Sequence, residues 1–338
     1  MKTNYGTVPV HEDGSAYFKA PSNTELYFIA LNGNGKEIQR MGSVTQITTG
    51  ERASCVDCHE DRLSAPVVHR PDYDRMQSPP DQITPPPWGA GPVDYVKQVQ
   101  PVLDQYCVKC HSGPNPKANV DLSGDTNRFF NMSFVNLVIK RRVVDYYYIN
   151  AAPTGVFPAL MTGSWTSKLT RMIESKHAKV DVDNESRRRI YAWIDANVPY
   201  YSTWDMTRPH TTGGRDVFYR TIKSSGMQQP GRITQIEPWA KKLQALVKKM
   251  NGKRSRLSHG DINLTHPEYS HILTMNLARS AGGNADDKKA IFKSKTEPLF
   301  VDILNALKEG KAALEATPRM DMPGAKPLPQ ERNFGRPL

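Results

Sequence analysis

Two short motifs in the sequence could carry chemistry. In each, two cysteines with two residues between them are followed directly by a histidine, in SCVDCHEDR at 54–62 and in YCVKCHSG at 106–113. The six motif residues are Cys55, Cys58, His59, Cys107, Cys110 and His111. The chain has 4 cysteines in all, so none is left for a structural disulfide.

The C-x-x-C-H spacing is the attachment site of c-type haem. The two thiols add to the two vinyl groups of the porphyrin, and the adjoining histidine reaches the iron from the proximal side. The sequence therefore predicts two covalently attached haem c groups, with His59 and His111 as iron ligands. A zinc site made of two C-x-x-C knuckles is the alternative. Residues 59–106 separate the two pairs by more than a zinc ribbon does, and zinc has no need of a histidine in both copies.

The second axial ligand decides whether a haem only exchanges electrons or also binds a substrate. For the second haem we expect His177, in ESKHAKVD, against the alternative that it is an exposed loop histidine. Met161 and Met172 are the other candidates, although Met172 has the helical spacing of a core residue. For the first haem the sequence leaves the ligand open, with no ligand at all as one alternative. The candidates are His69, Tyr73, Met76, His266 and His271.

The elements around the first motif are predicted to be short strands and extended chain. Residues 1–50 alternate as a small β-sandwich-like unit, with a hairpin turn at NGNG, Asn32 to Gly35. Residues 51–92 contain the first motif and a proline-rich linker, SPPDQITPPPWGAGP, which cannot be helical.

The second motif is predicted to lie in a cytochrome c-like domain over residues 93–205. A helix precedes the motif, and Pro101 should kink it or divide it into short pieces. A later helix begins at the N-cap Asp183, ends before Pro199, and buries one stripe of residues. The stripe contains Ile190, Trp193 and Ile194.

Residues 206–338 predict a helical C-terminal extension, with helices near 235–250, 267–279 and 297–315. The predicted fold class is therefore α+β, a small N-terminal β-sandwich-like unit followed by mainly α-helical cytochrome c-type haem domains.

Charge limits the partners that the chain can have. The 338 residues carry a formal net charge of +11, and no apolar run approaches the roughly 20 residues of a membrane span. The densest basic stretch, KKLQALVKKMNGKRSRL at 241–257, lacks the alternating aromatic residues of a nucleic-acid stacking platform. We therefore expect a redox partner protein or other subunits as partners, with an oligomer compatible with the sequence, and no nucleic acid.

Covalent haem also predicts a compartment, because bacteria normally attach it outside the cytoplasmic membrane. We therefore expect a periplasmic or otherwise extracytoplasmic protein. The first residues lack the layout of a secretion signal and read like strands already under way. A signal or an upstream domain is thus expected to precede the chain.

Longer stretches of the chain resemble the C-terminal half of the hydrazine synthase alpha-subunit family, which includes multidomain cytochromes of planctomycetes and other bacteria. They are GTVPVHEDGSAYFKAPSNTELYFIALNGNGKEIQRM, GERASCVDCHEDR, VQPVLDQYCVKCHSG, HAKVDVDNESRRRIYAWIDANVPYY and ATPRMDMPGAKPLP. The resemblance implies that a β-propeller precedes this segment. It also implies that the second haem has two histidine ligands, with His177 at the matching position.

The same resemblance raises the question of catalysis at the first haem. In hydrazine synthase a tyrosine about one helical turn after the first motif binds the iron and frees the motif histidine for zinc. Here the corresponding residue is Leu63, which argues against hydrazine synthesis and favours His59 on the iron.

Two functions therefore compete, besides a zinc-dependent interaction module. The first is a dihaem cytochrome that relays electrons. The second is a redox enzyme whose first haem is open and acts on a small nitrogen compound or peroxide, with Glu60, Asp61, His69 or Tyr73 as acid or base.

Overall fold

The computed structural model describes residues 2–41, 44–55, 77–140, 159–202, 238–252, 257 and 259–325. The chain divides into two compact units. Unit 1 combines Met1–Val93 with Val144–Pro199, and unit 2 combines Asp94–Val143 with Tyr200–Leu338. The predicted domain limits and the predicted fold class stay predictions.

The described residues of unit 1 form two antiparallel strand pairs. Strand β1 (Thr3–Asn4) pairs with β4 (Gly91–Pro92), and β2 (Ile29–Leu31) pairs with β3 (Glu37–Arg40). The turn between β2 and β3 confirms the predicted hairpin. There the Asn32 side chain accepts bonds from the backbone N–H groups of Asn34 and Lys36, both at 3.0 Å. Gly35 has φ +82°, a conformation that few residues other than glycine adopt.

The helices of the described residues are mostly short. In chain order they are α1 (Tyr95–Gln98), α2 (Gln100–Tyr106), α3 (Met132–Phe134), α4 (Gly163–Thr166), α5 (Lys168–Glu174), α6 (Asn184–Asp195), α7 (Pro238–Asn251), α8 (His271–Thr274) and α9 (Pro298–Ala316). Helix α3 continues as a π-helical turn, Val135–Ile139. The helix predicted before the second motif is divided into α1 and α2 next to Pro101, as its proline indicated.

Helix α6 in unit 1 follows the sequence prediction. The Asp183 side chain accepts a bond from the N–H of Ser186 at 2.9 Å, which confirms it as the N-cap. Ile190, Trp193 and Ile194 are at most 1% exposed, so the predicted stripe is buried. The indole N–H of Trp193 donates to the carbonyl of Pro199 at 2.9 Å.

The core of unit 2 lies between α7 and α9. Helix α7 buries Trp239, Leu243 and Val247 in a cluster shared with Phe300 and Ile303 of α9. A Cβ at Gly310 of α9 would lie 2.7 Å from the Trp239 ring, so this close approach of ring and helix requires glycine. The helices predicted near 235–250 and 297–315 are thus confirmed as α7 and α9.

The predicted helix 267–279 is wrong as a continuous element. The chain forms a 3₁₀ turn Pro267–Tyr269, then α8, then a second 3₁₀ turn Arg279–Ala281. Ser270, between the first 3₁₀ turn and α8, has extended backbone with ψ 128° and so interrupts the predicted helix. Its hydroxyl accepts from the N–H of Asn263 at 3.0 Å and donates to the carbonyl of the same residue at 3.1 Å, which stabilises the interruption.

No helix among the described residues is long and apolar enough to cross a membrane.

Candidate haem-binding site

The first motif lies largely outside the described residues. Cys55 is described and exposed. Outside the described residues lie Cys58, His59, Glu60, Asp61, Leu63, His69, Tyr73 and Met76. The first haem site therefore stays a prediction.

The second motif forms one further turn of chain after α2. The N–H of Cys107 donates to the carbonyl of Leu103 at 2.8 Å, as the cap of that helix. The N–H groups of Cys110 and His111 both donate to the carbonyl of Cys107, at 3.1 and 3.0 Å. This turn brings Cys107, Cys110 and His111 together, because residues three and four apart in a helical turn share a face.

The imidazole of His111 is oriented by a backbone carbonyl. Its Nδ1 lies 3.1 Å from the carbonyl oxygen of Val120. A carbonyl only accepts, so Nδ1 must carry the proton, and the lone pair is then on Nε2. Metal-binding histidines characteristically donate their second ring N–H to a carbonyl or carboxylate in this way. The contact with Val120 thus orients the ring, and iron binding through Nε2 stays a prediction.

The loop that supplies this carbonyl has an unusual backbone. Ala118 and Asn119, immediately before Val120, have φ 54° and 55°, a left-handed conformation that is unfavourable for alanine. The loop is closed by the N–H of Leu122, which donates to the His111 carbonyl at 2.7 Å. Strained backbone persists where surrounding contacts fix it. Here the bond between Leu122 and His111 fixes the loop that contains Val120.

The two thiols of this motif differ in exposure. Cys110 is exposed, whereas Cys107 is half-buried, and burial raises the pKa of the Cys107 thiol to about 11. Attachment to haem would convert this thiol into a thioether, which has no proton to lose, so burial of Cys107 does not oppose attachment. Within the described ranges, no three His, Cys, Asp or Glu side chains are grouped as a metal site. The residues present fit haem c.

His177 lies in unit 1, at the start of a 3₁₀ turn, His177–Lys179. It is exposed, and three of its neighbours have left-handed backbone: Lys176, Ala178 and Lys179 have φ 52°, 54° and 63°. Since His111 belongs to unit 2, the role of His177 as the second iron ligand stays a prediction. Of the two alternatives, Met161 is 59% exposed and Met172 is half-buried on α5.

Two histidines of the C-terminal extension, His266 and His271, have acidic partners. Nδ1 of His266 lies 2.8 Å from the Asp125 carboxylate, which also accepts from the Asn263 amide at 2.7 Å. Nδ1 of His271 lies 3.6 Å from the Asp261 carboxylate. The contacts of Asp125 join the extension to the segment that follows the second motif.

A buried ion pair that sequence reasoning did not single out makes a second such connection. Arg319 is 5% exposed, and its guanidinium binds both carboxylate oxygens of Asp321, at 2.9 and 2.7 Å. It also donates to the Asn127 carbonyl at 2.6 Å and to the Tyr200 hydroxyl at 3.1 Å. Spacing alone carries no signal for the contacts with Asn127 and Tyr200, because both residues lie more than 100 positions from Arg319.

Unit 1 contains a buried charge cluster that was likewise not predicted. Two carboxylates, those of Glu37 and Asp195, are 1% and 2% exposed, and Arg40 binds Glu37 through two N–H groups. The N–H and hydroxyl of Ser164 donate to Asp195 at 2.6 and 2.9 Å. Burial and the charge of Glu37 raise the pKa of Asp195, despite the donors of Ser164.

Comparison with known proteins adds one match. Residues 1–60 match the family model described as the hydrazine synthase alpha subunit middle domain. The match includes the first C-x-x-C-H motif and supports a relationship to hydrazine synthase-like proteins. Neither a curated protein nor a solved structure matches the chain.

Proposed function

We propose that the chain is a dihaem c-type cytochrome that relays electrons outside the cytoplasm as part of a larger complex. The observation that carries the proposal is the contact of His111 Nδ1 with the Val120 carbonyl, which orients the ring for iron through Nε2. The match of residues 1–60 supports a redox-related family, and its description as a subunit domain supports a complex.

Each residue of the two motifs has a role in this proposal. Cys55 and Cys58 would hold the first haem with His59, and Cys107 and Cys110 the second with His111. His177 would complete the second iron. A c-type haem held between two such ligands exchanges one electron through its iron and leaves no position for substrate.

Buried side chains behind the second motif keep α2 in place. Gln100, which is 5% exposed, accepts a bond from the Ser133 hydroxyl at 2.5 Å and donates to the Leu122 carbonyl at 3.2 Å. Its neighbour Tyr95 on α1 packs against Phe134 and Tyr200, with ring centroids 5.1 and 5.4 Å apart. This packing buries one side of α2, the helix that leads into the motif.

A second candidate is a redox enzyme with a catalytic first haem. The family match favours it, because the matched residues include the first motif. Leu63, at the position where the resemblance implies an iron-binding tyrosine, argues against hydrazine synthesis itself.

Optical and EPR spectra of the purified protein, with a pyridine haemochrome count, test the proposal. We expect two haems, of which the Cys107→Ala/Cys110→Ala variant loses one. His177→Ala should convert one low-spin haem into a high-spin haem that binds carbon monoxide, whereas the control His11→Ala, in the same unit, should change neither. A protein without a Soret band would refute the proposal and favour zinc. A high-spin, ligand-binding haem in the unaltered protein would favour the enzyme.

A further inference from the structure

Helix α7 has an exposed face that is entirely basic or neutral. Its lysines form two pairs seven residues apart, outside the buried stripe of Trp239, Leu243 and Val247, and all are exposed. They are Lys241, Lys242, Lys248 and Lys249. We call these four residues the lysine face. The helix contains no Asp or Glu, and the sequence adds none before Asp261.

Helix stability accounts for only half of the lysine face. Lysines in the last turn, Lys248 and Lys249, interact favourably with the helix dipole. Lys241 is the fourth residue of the helix, at the end of the first turn, where the dipole mildly disfavours positive charge, and Lys242 lies beyond that turn. The dipole therefore favours Lys248 and Lys249 and gives no reason for Lys241 and Lys242.

Neighbouring acidic groups neutralise little of this charge. Lys242 donates to Glu309 of α9 at 2.5 Å, with both side chains 49% exposed. Within the described residues, Lys241, Lys248 and Lys249 form no ion pair. A surface salt bridge of this exposure contributes little, so most of the face stays available to a partner.

The geometry points to the lysine face as a docking surface for the acidic surface of a partner protein. A membrane-bound amphipathic helix needs an apolar face to insert, but the apolar face of α7 is buried in the core of unit 2. Single-stranded nucleic acid needs exposed aromatic side chains for stacking, and the aromatic residue of α7, Trp239, is 7% exposed. Charge complementarity with an acidic protein requires neither.

The inference rests on the proposed electron relay for the kind of partner, but binding can be measured without electron transfer. The probe is an acidic plant-type ferredoxin, titrated against the full-length haem-loaded protein at low salt. We expect Lys248→Glu/Lys249→Glu to raise Kd about tenfold or more, and the milder Lys248→Gln/Lys249→Gln to raise it less. The matched control is Lys288→Glu/Lys289→Glu, exposed lysines of the same unit that lie next to Asp286 and Asp287. It should change Kd less than about twofold.

Three results would overturn the inference. The unaltered protein could fail to bind ferredoxin at low salt, or the control pair could weaken binding as much as the α7 pair does. Alternatively, vesicles containing phosphatidylglycerol or a DNA oligonucleotide could bind more tightly than ferredoxin and depend on the same lysines. A protein that carries haem but binds no ferredoxin refutes the docking surface alone, whereas a protein without haem refutes the proposed relay alone.

Discussion

Gly163 is the residue on which the charge cluster of unit 1 depends most directly. Its φ is +60°, and a Cβ there would lie 2.4 Å from both Oδ1 of Asp195 and Oε2 of Glu37. We predict that Gly163→Ala lowers the free energy of unfolding by about 2–3 kcal/mol, because it combines backbone strain with overpacking of charged groups. Denaturant unfolding measures this. Gly33→Ala is the control, since nothing lies within 4 Å of its Cβ position, and an equal loss there would contradict the explanation.

Ala178, beside His177, gives a prediction of opposite sign. With φ 54° it has a left-handed backbone, which costs a residue with a Cβ about 1 kcal/mol or more. Ala178→Gly should therefore stabilise the haem-free protein by up to about 1 kcal/mol in denaturant unfolding. Ala192→Gly within α6, where the backbone is helical, should destabilise it by about 1 kcal/mol. Two losses of equal size would show that the turn is not strained.

At the scale of elements, the chain just after α9 is fixed to the segment after the second motif by Arg319, which donates to the Asn127 carbonyl and pairs with Asp321. Both side chains are almost fully buried, at 4% and 6% exposure. Arg319→Met should cost about 3–5 kcal/mol of stability, because it leaves the Asp321 carboxylate buried without its cation. Arg319→Met/Asp321→Leu should cost less than Arg319→Met alone in the same denaturant assay. A larger loss in the double variant would mean that the pair itself, and not the uncompensated charge, dominates.

The elements differ in how far sequence could predict them, for a physical reason. Helix α6 was predictable because its N-cap Asp183 and its buried stripe are local signals. The break at Ser270 was not, because it depends on a reciprocal bond with Asn263 that only the folded chain brings together. Local periodicity in 267–279 favoured a helix that tertiary contacts interrupt.

At the scale of the molecule, the candidate site also combines residues that local sequence signals predict with residues that only the folded chain brings together. The spacing of Cys107, Cys110 and His111 identified the second motif, since haem c attachment requires two cysteines and a histidine at this spacing. The carbonyl of Val120 could not be inferred, because a backbone acceptor has no signature in side-chain type. The cluster of Glu37, Arg40 and Asp195 was equally hidden, since two of its members lie 158 positions apart in the sequence.

The Asp195 carboxyl gives the molecule a predicted pH dependence of stability. Burial, together with the charge of Glu37, raises its pKa in the folded protein to about 8, while in the unfolded chain the value is about 4. The folded state therefore binds the proton more tightly than the unfolded state. Stability contributed by this proton is present at low pH and is lost as the pH rises from about 4 to about 8.

The substitution Asp195→Asn tests this dependence, because the amide keeps an acceptor for the N–H of Ser164 and has no charge to bury. We expect the melting temperature of the unaltered protein to fall more steeply than that of the variant between about pH 5 and about pH 8. Asp181→Asn is the matched control: Asp181 is exposed, and contacts with Lys176 and Arg187 lower its pKa, so its contribution is complete above about pH 5. Parallel melting curves for the unaltered protein and Asp195→Asn would mean that Asp195 stays ionised in the folded state and that Arg40 compensates both carboxylates of the cluster.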